Sequence, residues 1–253
     1  MRAVGAARRL LKAGARSIGF DVVRTQNSPA LTLLGLTAFP IKTVLDVGAN
    51  TGQFARQMRR LFPAATIYAF EPQPSAFERL KRWADSQHGR VWPLKLALGE
   101  ETGRSSMYFH VEHDSSSSLL RSTALHTSLA PSSRLQKEHT VDIRRLDDVV
   151  AELAKPLEPP ILIKLDVQGY EDRVLAGAHG TLRSAEACVL EVCLDHLFEG
   201  QAEFLGLATV LAKAGLTYAG NISQFYSADG HVMWLDALFI RRRSAAVMHD
   251  PLP

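Results

Sequence analysis

The sequence predicts an α/β fold, with a doubly wound, mostly parallel sheet of seven strands. Short apolar, β-branched segments alternate with helical patterns between residues 43 and 240. A glycine-rich turn follows the first predicted strand, and acidic residues follow several others. Open parallel sheets bind ligands outside the carboxyl ends of their strands, so these acids predict a binding site at that edge.

Length and composition set the expected organisation. The chain has 253 residues, of which 46% are hydrophobic and 22% are charged, as is typical of a globular protein. We expect a basic helical extension over residues 1–40, a main domain over 41–242 with an insertion at about 103–145, and a flexible tail over 243–253. The formal net charge of +3 is too small to indicate a nucleic-acid partner by itself.

Residues 2–17 have a helical composition and a one-sided charge. Five basic residues precede the first acid, Asp21: Arg2, Arg8, Arg9, Lys12 and Arg16. Two interpretations stay open, a solvated helix docked on the main domain or an amphipathic helix in peripheral contact with an anionic membrane. No apolar run approaches the ~20 residues of a membrane span, and the basic residues argue against a signal peptide. The two cysteines, Cys188 and Cys193, do not form an expected pair, which favours a cytoplasmic location.

The first strand, Val44–Val47, runs into the turn Gly48–Gly52 and then into a helix that ends before Pro63. The turn lacks the third glycine of the dinucleotide fingerprint and contains an acid just before it, Asp46. A carboxylate suits a cationic ligand such as S-adenosylmethionine, which carries a sulfonium and an ammonium. The residues predicted to contact this ligand are Asp46, Gly48, Ala49, Asn50 and Gly52. The alternative is that Asp46 only binds backbone N–H groups of the loop.

The second strand, Thr66–Phe70, ends in Glu71 and Pro72. Glu71 lies 23 residues beyond Gly48, close to the ~20 expected for an acid that accepts hydrogen bonds from ribose hydroxyls. A third strand is predicted over Val91–Leu98, with Ala97 and Leu98 beside the adenine. The insertion contains two predicted strands, Ser106–His110 and Thr140–Ile143, and is expected to form a hairpin or lid over the site.

The fourth strand, Ile161–Asp166, has a lysine inside an apolar run. Lys164 and Asp166 point to the same face of the strand, so the carboxylate provides a partner for the lysine. A fifth strand over Ala187–Val192 follows. Two antiparallel strands, Leu216–Ala219 and Trp234–Ile240, are then predicted around the turn Ala228–Gly230 and complete the sheet.

Four segments together resemble the FkbM family of methyltransferases: Val44–Gly52, Phe70–Pro72, the serine run that ends at Ser118-Leu119, and Ile163–Glu171. The resemblance implies the Rossmann-like fold of class I enzymes, S-adenosylmethionine as the methyl donor, and methylation of hydroxyl oxygens, often on sugars or polyketide products. The chain departs from the family pattern at Gln168, where a glutamate is usual.

A hydroxyl acceptor benefits from a group that removes its proton. Asp166 is the first candidate base, paired with Lys164; His196 is the second, and His110 and His113 are the third. No metal ligand is assigned. A Mg²⁺ ion held by Asp166, Glu191 and Asp195 is kept as an alternative.

Other functions fit the same sheet. An RNA methyltransferase is the main alternative, but no basic surface with interleaved aromatic residues is evident. A nicotinamide-dependent oxidoreductase is disfavoured by the missing glycine and by Asp46. A non-catalytic nucleotide-binding module is the remaining alternative. The expected partner is therefore a small-molecule or glycan acceptor.

Overall fold

The computed structural model describes residues 12–18, 33–110, 117–130 and 136–242. Most of the predicted basic helix and all of the predicted tail lie outside these ranges, although residues 12–17 are helical. The side chain of Ile18, at the end of this helix, is exposed. Within the described ranges, no helix has both the length and the apolar character needed to cross a membrane.

The predicted main sheet of seven strands is confirmed, in the order β3-β2-β1-β7-β8-β10-β9. A second sheet has three strands in the order β4-β6-β5. The strands are β1 Thr43–Val47, β2 Thr66–Phe70, β3 Val91–Leu94, β4 Ala97–Leu98, β5 Gly103–His110, β6 Gln136–Arg144, β7 Ile161–Leu165, β8 Ala185–Cys193, β9 Leu216–Tyr226 and β10 Val232–Arg241.

A short 3-10 helix, Leu33–Ala38, precedes β1. The α-helices are α1 Gln53–Leu61, α2 Pro74–Asp85, α3 Ala124–Leu129, α4 Leu146–Ala151, α5 Glu171–Ala176, α6 His179–Ser184 and α7 Phe204–Lys213. Among them, α3 lies within the insertion, in a stretch whose apolar residues show little periodicity. The sequence therefore predicted neither a helix nor a strand there. The N-terminus of α3 is capped by Thr123, whose hydroxyl accepts a hydrogen bond from the N–H of His126.

The strand order reverses between β1 and β7, where both strands lie parallel to each other at the centre of the sheet. All five residues of each strand are buried, because helices cover both faces. Their register sets Asp46 of β1 directly beside Lys164 of β7. Crevices at such a reversal are the usual ligand sites of open α/β sheets.

The single third strand predicted over residues 91–98 is wrong. The chain pairs with β2 from Val91 to Leu94, where this pairing stops. The next strand, β4, joins the small sheet by pairing with β6. A tight turn separates the two strands, in which the N–H of Leu96 donates to the carbonyl of Leu94. Pro93 is tolerated because β3 is an edge strand of the main sheet.

The insertion forms the predicted hairpin, since β5 and β6 pair antiparallel from Gly103 with Ile143 to His110 with Gln136. Its inner face packs Met107, Phe109, Val141 and Ile143 around Ala97. The last two strands also pair antiparallel, but both are longer than predicted. The longer β9 and β10 extend beyond the carboxyl end of β8 and contribute side chains to the site described next.

Candidate functional site

Two cavities meet at the carboxyl ends of the central strands. The first, here called the glycine-turn cavity, has a volume of about 200 Å³ and is lined by the turn after β1, the end of β2, β4 and the loop after β7. The second, called the aromatic cavity, has a volume of about 720 Å³ and lies between α1, α3 and the β9–β10 hairpin. Both cavities are lined by Gln53, Phe54, Lys164, Asp166 and Gln168. These shared residues form the boundary between them.

The turn after β1 depends on Gly48. Its φ of 76° is in the left-handed region, and a Cβ atom there would overlap the carbonyl oxygen of Asp166. The N–H groups of Gly48 and Ala49 donate to the carbonyl of Phe70, at 3.0 and 2.9 Å. The turn is therefore fixed against both neighbouring strands, and its backbone lines the glycine-turn cavity.

Glu71 is buried at the end of β2 and lines the same cavity. Its carboxylate accepts hydrogen bonds from the N–H groups of Asn50 and Gln73, both at 2.7 Å. Burial raises the pKa of Glu71 to about 7, against the lowering effect of these two donors. Each carboxylate oxygen accepts more than one hydrogen bond, so Glu71 retains acceptor capacity for a ligand.

Most residues predicted to contact the cofactor are brought together here. The glycine-turn cavity is lined by Gly48, Ala49, Asn50, Glu71, Pro72, Ala97 and Leu98. Gly52 is not among the lining residues: it precedes α1 with a φ of 88° and packs against Leu80 and Trp83. Asp46 is fully buried and does not line the cavity either. Direct ligand contacts of Gly52 and Asp46 therefore stay predictions from the sequence.

Asp46 instead lies behind the boundary residue Lys164. The Lys164 ammonium is 2.8 Å from Oδ2 of Asp166 and 3.9 Å from Oδ1 of Asp46. Burial raises the pKa of Asp46 to about 6, although the Lys164 charge opposes it. Burial also disfavours the charged form of Asp166, yet Lys164 and several hydrogen bonds hold the pKa of Asp166 at about 2. Asp166 is consequently ionised at neutral pH.

Gln168 connects this pair to a second acid. Its side-chain amide donates to Oδ1 of Asp166 at 2.9 Å and to Oε2 of Glu191 at 3.1 Å. Burial and the nearby Asp166 charge raise the pKa of Glu191 well above its usual range, so Glu191 keeps its proton to a higher pH than Asp166 does. Sequence reasoning considered Glu191 only as a metal ligand. The spacing of 23 residues from Gln168 provides no local signal for this contact.

The loop that presents Gln168 is held by the insertion. Gln168 has a φ of 58°, which is unusual for a residue with a side chain. Its carbonyl accepts a hydrogen bond from the buried hydroxyl of Ser118 at 2.7 Å, and that hydroxyl accepts one from the N–H of Leu120 at 3.0 Å. Ser118 thus links the serine run to the boundary between the two cavities.

The other candidate bases lie elsewhere. His196 is exposed and lines neither cavity, so its position does not support a role as the base. The side chain of His110 and all of His113 lie outside the described part of the chain. Asp195 is directed to His231, whose Nε2 lies 3.0 Å from Oδ2. Across the described ranges, no group of three potential ligands is arranged to hold a metal ion.

The chain is similar to several methyltransferases in sequence. The family model described as the methyltransferase FkbM domain matches residues 46–218, more than half of the chain. The chain is 32% identical over 187 residues to 2-O-methyltransferase NoeI of Sinorhizobium fredii, with 71% of this chain and 74% of that protein covered. It is also 32% identical to 31-O-demethyl-FK506 methyltransferase FkbM of Streptomyces tacrolimicus, with coverages of 56% and 62%.

A third relative is the hexuronic acid methyltransferase AglP of Haloferax volcanii, which is 28% identical, with 58% of this chain and 54% of that protein covered. The matched family segment contains the residues that line the glycine-turn cavity and the boundary pair Lys164 and Asp166. The segment also includes Gln168. This protein belongs to the FkbM family of methyltransferases.

Proposed function

We propose that this methyltransferase transfers the methyl group of S-adenosylmethionine to a hydroxyl oxygen of a sugar, glycan or secondary-metabolite acceptor. The observation that carries the proposal is the meeting of two cavities at one ion pair, Lys164 and Asp166. The lining of the glycine-turn cavity has the chemistry that the donor requires, and the larger cavity on the other side has room for the acceptor. Methyl transfer from one cavity to the other requires that both ligands reach the shared boundary, with the acceptor oxygen in line with the methyl carbon and the sulfur.

The residues of the glycine-turn cavity have the chemistry that the donor requires. Glu71 offers a carboxylate to two adjacent ribose hydroxyls, in a position fixed by its two backbone donors. Ala97 and Leu98 offer apolar surface to the purine. Phe54 contributes an aromatic ring whose centroid lies 5.3 Å from the Lys164 ammonium, at the boundary. When bound, S-adenosylmethionine supplies a methyl carbon already activated by its sulfonium.

Asp166 is the residue placed to assist the acceptor hydroxyl. Its carboxylate lines both cavities and is ionised, so it can accept the hydroxyl proton. A pKa of about 2 makes Asp166 a weak base. A weak base is sufficient, because an oxygen that has gained a methyl group is a strong acid until its proton leaves. Lys164 keeps the carboxylate charged and oriented, and Gln168 holds its other oxygen.

The names of the relatives support an oxygen acceptor. NoeI and FkbM are named for 2-O and 31-O positions, and AglP for a hexuronic acid. The acceptors in these names differ, so the relatives support the reaction class and not one acceptor.

The proposal is tested by calorimetric titration with S-adenosylmethionine, S-adenosylhomocysteine and NADH, followed by transfer of a labelled methyl group to a panel of glycosides and polyketides. We expect both sulfur ligands to bind and NADH not to bind. Label should appear in a base-stable ether. Binding of NADH alone would contradict the proposal. Tight RNA binding that weakens steeply with salt, together with label in RNA, would favour the alternative RNA methyltransferase.

A further inference from the structure

The aromatic cavity has one wall of stacked rings. Phe225 of β9 and Trp234 of β10 both line it, with ring centroids 4.9 Å apart and an angle of 20° between the ring planes. Phe225 remains 46% exposed, although rings of this size gain from burial. Ile222 and Met233 extend the same apolar wall. Trp234 therefore covers one face of Phe225, and the exposed part of the Phe225 ring offers an apolar surface to a ligand.

The floor of the cavity carries acids with little positive charge to balance them. Asp166, Glu191 and Asp236 all contribute to the lining. Among the described residues that line the cavity, Lys164 is the one with a permanent positive charge, and its ammonium is already 2.8 Å from Asp166. Asp236 accepts a hydrogen bond from the hydroxyl of Ser223. A ligand that brought a carboxylate or phosphate would meet these acids, and the described lining residues offer it no cation besides the one already paired with Asp166.

The same acids suit a ligand with hydroxyl groups. Carboxyl groups accept hydrogen bonds from hydroxyls, and a protonated Glu191 can also donate one. The volume of about 720 Å³ lies within the usual range for small-molecule sites, so one or two sugar rings or a comparable cyclic molecule can enter. The acids at the floor of the cavity and the aromatic ring at its side match a ligand ring that has one hydroxylated edge and one apolar face.

We propose that the aromatic cavity selects an uncharged, hydroxylated ring acceptor that packs one apolar face on the exposed part of Phe225, which Trp234 supports from behind, and that it rejects acceptors bearing a carboxylate or phosphate. This inference deepens the proposed function and rests on it, because the ligand of this cavity is an acceptor only if the protein transfers a methyl group to it. The binding preference itself does not depend on methyl transfer.

The test uses two matched pairs of probes, hexyl β-D-glucopyranoside with hexyl β-D-glucuronide and hexyl β-D-galactopyranoside with hexyl β-D-galacturonide. Each is titrated calorimetrically into the full chain saturated with S-adenosylhomocysteine. We expect at least one neutral glycoside to bind, and its uronide to bind at least about tenfold more weakly. Equal or tighter binding of the uronide, or no binding of either neutral glycoside up to about 10 mM, would overturn the proposal.

Variants of the chain test whether the glycosides bind in the aromatic cavity. Phe225→Ala should weaken the neutral glycoside about tenfold, whereas Trp92→Ala, which removes an exposed ring on β3 far from the cavity, should not change it. Gln57→Arg adds a cation to the lining of the cavity and should bring the uronide within about threefold of the neutral glycoside. An unchanged affinity of Phe225→Ala for the neutral glycoside, or an unchanged ratio of uronide to neutral glycoside affinity in Gln57→Arg, would contradict the assignment. Titration of S-adenosylhomocysteine alone tests the proposed function separately, because that ligand belongs to the other cavity.

Discussion

The ammonium of Lys164 lies 2.8 Å from the carboxylate of Asp166, at the boundary between the two cavities. The contact joins a residue of β7 to the residue just after the end of the strand, and the register of β1 brings Asp46 close to the same ammonium. Lys164 thus keeps a buried acid and a half-buried acid close to a single positive charge. The same pair stabilises the fold and orients the group proposed to receive the acceptor proton.

Replacing Lys164 with Met is expected to destabilise the protein by about 3–5 kcal/mol, because the buried Asp46 and the half-buried Asp166 would lose their counter-charge. Urea unfolding at neutral pH measures the loss. The matched control is Arg104→Met, which removes an ion pair with Asp142 whose two side chains are 77% and 66% exposed. That change should cost at most about 1 kcal/mol. Equal losses in the two variants would contradict the role given to Lys164.

Binding of S-adenosylhomocysteine should strengthen as pH rises through about 7, the pKa of Glu71. Ribose hydroxyls donate to the ionised carboxylate, and the protonated form of Glu71, which predominates at lower pH, offers them one fewer acceptor. Because burial raises this pKa from 4.5 in the unfolded chain, the ligand-free protein loses stability as pH rises from about 4.5 to about 7, and loses no more from Glu71 above that range. Calorimetric titrations between pH 5.5 and pH 8.5 would measure the affinity, with about tenfold as the steepest change per pH unit.

Glu71→Gln provides the control for this pH dependence. It should weaken S-adenosylhomocysteine binding about 10–100-fold and remove the change in affinity near pH 7. A remaining slope near pH 6 would report Asp46, whose pKa is about 6. If the variant kept the full slope near pH 7, another group would be responsible.

Asp166→Asn is expected to lower kcat by about 10²–10⁴-fold, since it removes the group proposed to accept the hydroxyl proton. The rate of label transfer to the best acceptor in the panel measures the effect. His196→Ala, the second candidate from the sequence, should keep kcat within about twofold, because its side chain is exposed and lines neither cavity. The reverse order of effects would make His196 the base and place the acceptor elsewhere.

Gly48→Ala should destabilise the protein by at least about 3 kcal/mol, because the new Cβ would overlap the Asp166 carbonyl at a left-handed backbone position. Gly206→Ala is the control within α7, where the structure leaves open space around the glycine. That change should stabilise the protein by about 0.5–1 kcal/mol. Both are measured by urea unfolding, and a Gly48→Ala variant within about 1 kcal/mol of the original would show that the turn can relax.

Local patterns predicted much of the donor side of the site. Glu71, Ala97 and Leu98 line one cavity because each follows or lies in a strand that ends at the same edge of the protein. The break between β3 and β4 was missed, since a run of apolar residues does not show that its second half pairs with β6 in another sheet. The helix α3 was missed because its six residues carry too few turns for a periodic pattern.

The acceptor side depends on contacts between distant parts of the chain. Gln168 meets Glu191 because β7 and β8 lie side by side, and Phe225 stacks on Trp234 because β9 and β10 extend beyond the predicted bounds. Neither contact has a short-range signature. The sequence offers Asp195 as a metal ligand, but in the structure its carboxylate contacts His231 of the β9–β10 turn.

The sequence by itself determined the doubly wound sheet, the glycine turn, the acid after β2 and the lysine–aspartate pair, because strand alternation and residue spacing act over short distances. Only the tertiary structure decided which acids share one lysine, in which direction the pKa of Glu191 shifts, and which rings form the wall of the second cavity. Burial and strand register set those properties, and both depend on segments that are far apart along the chain.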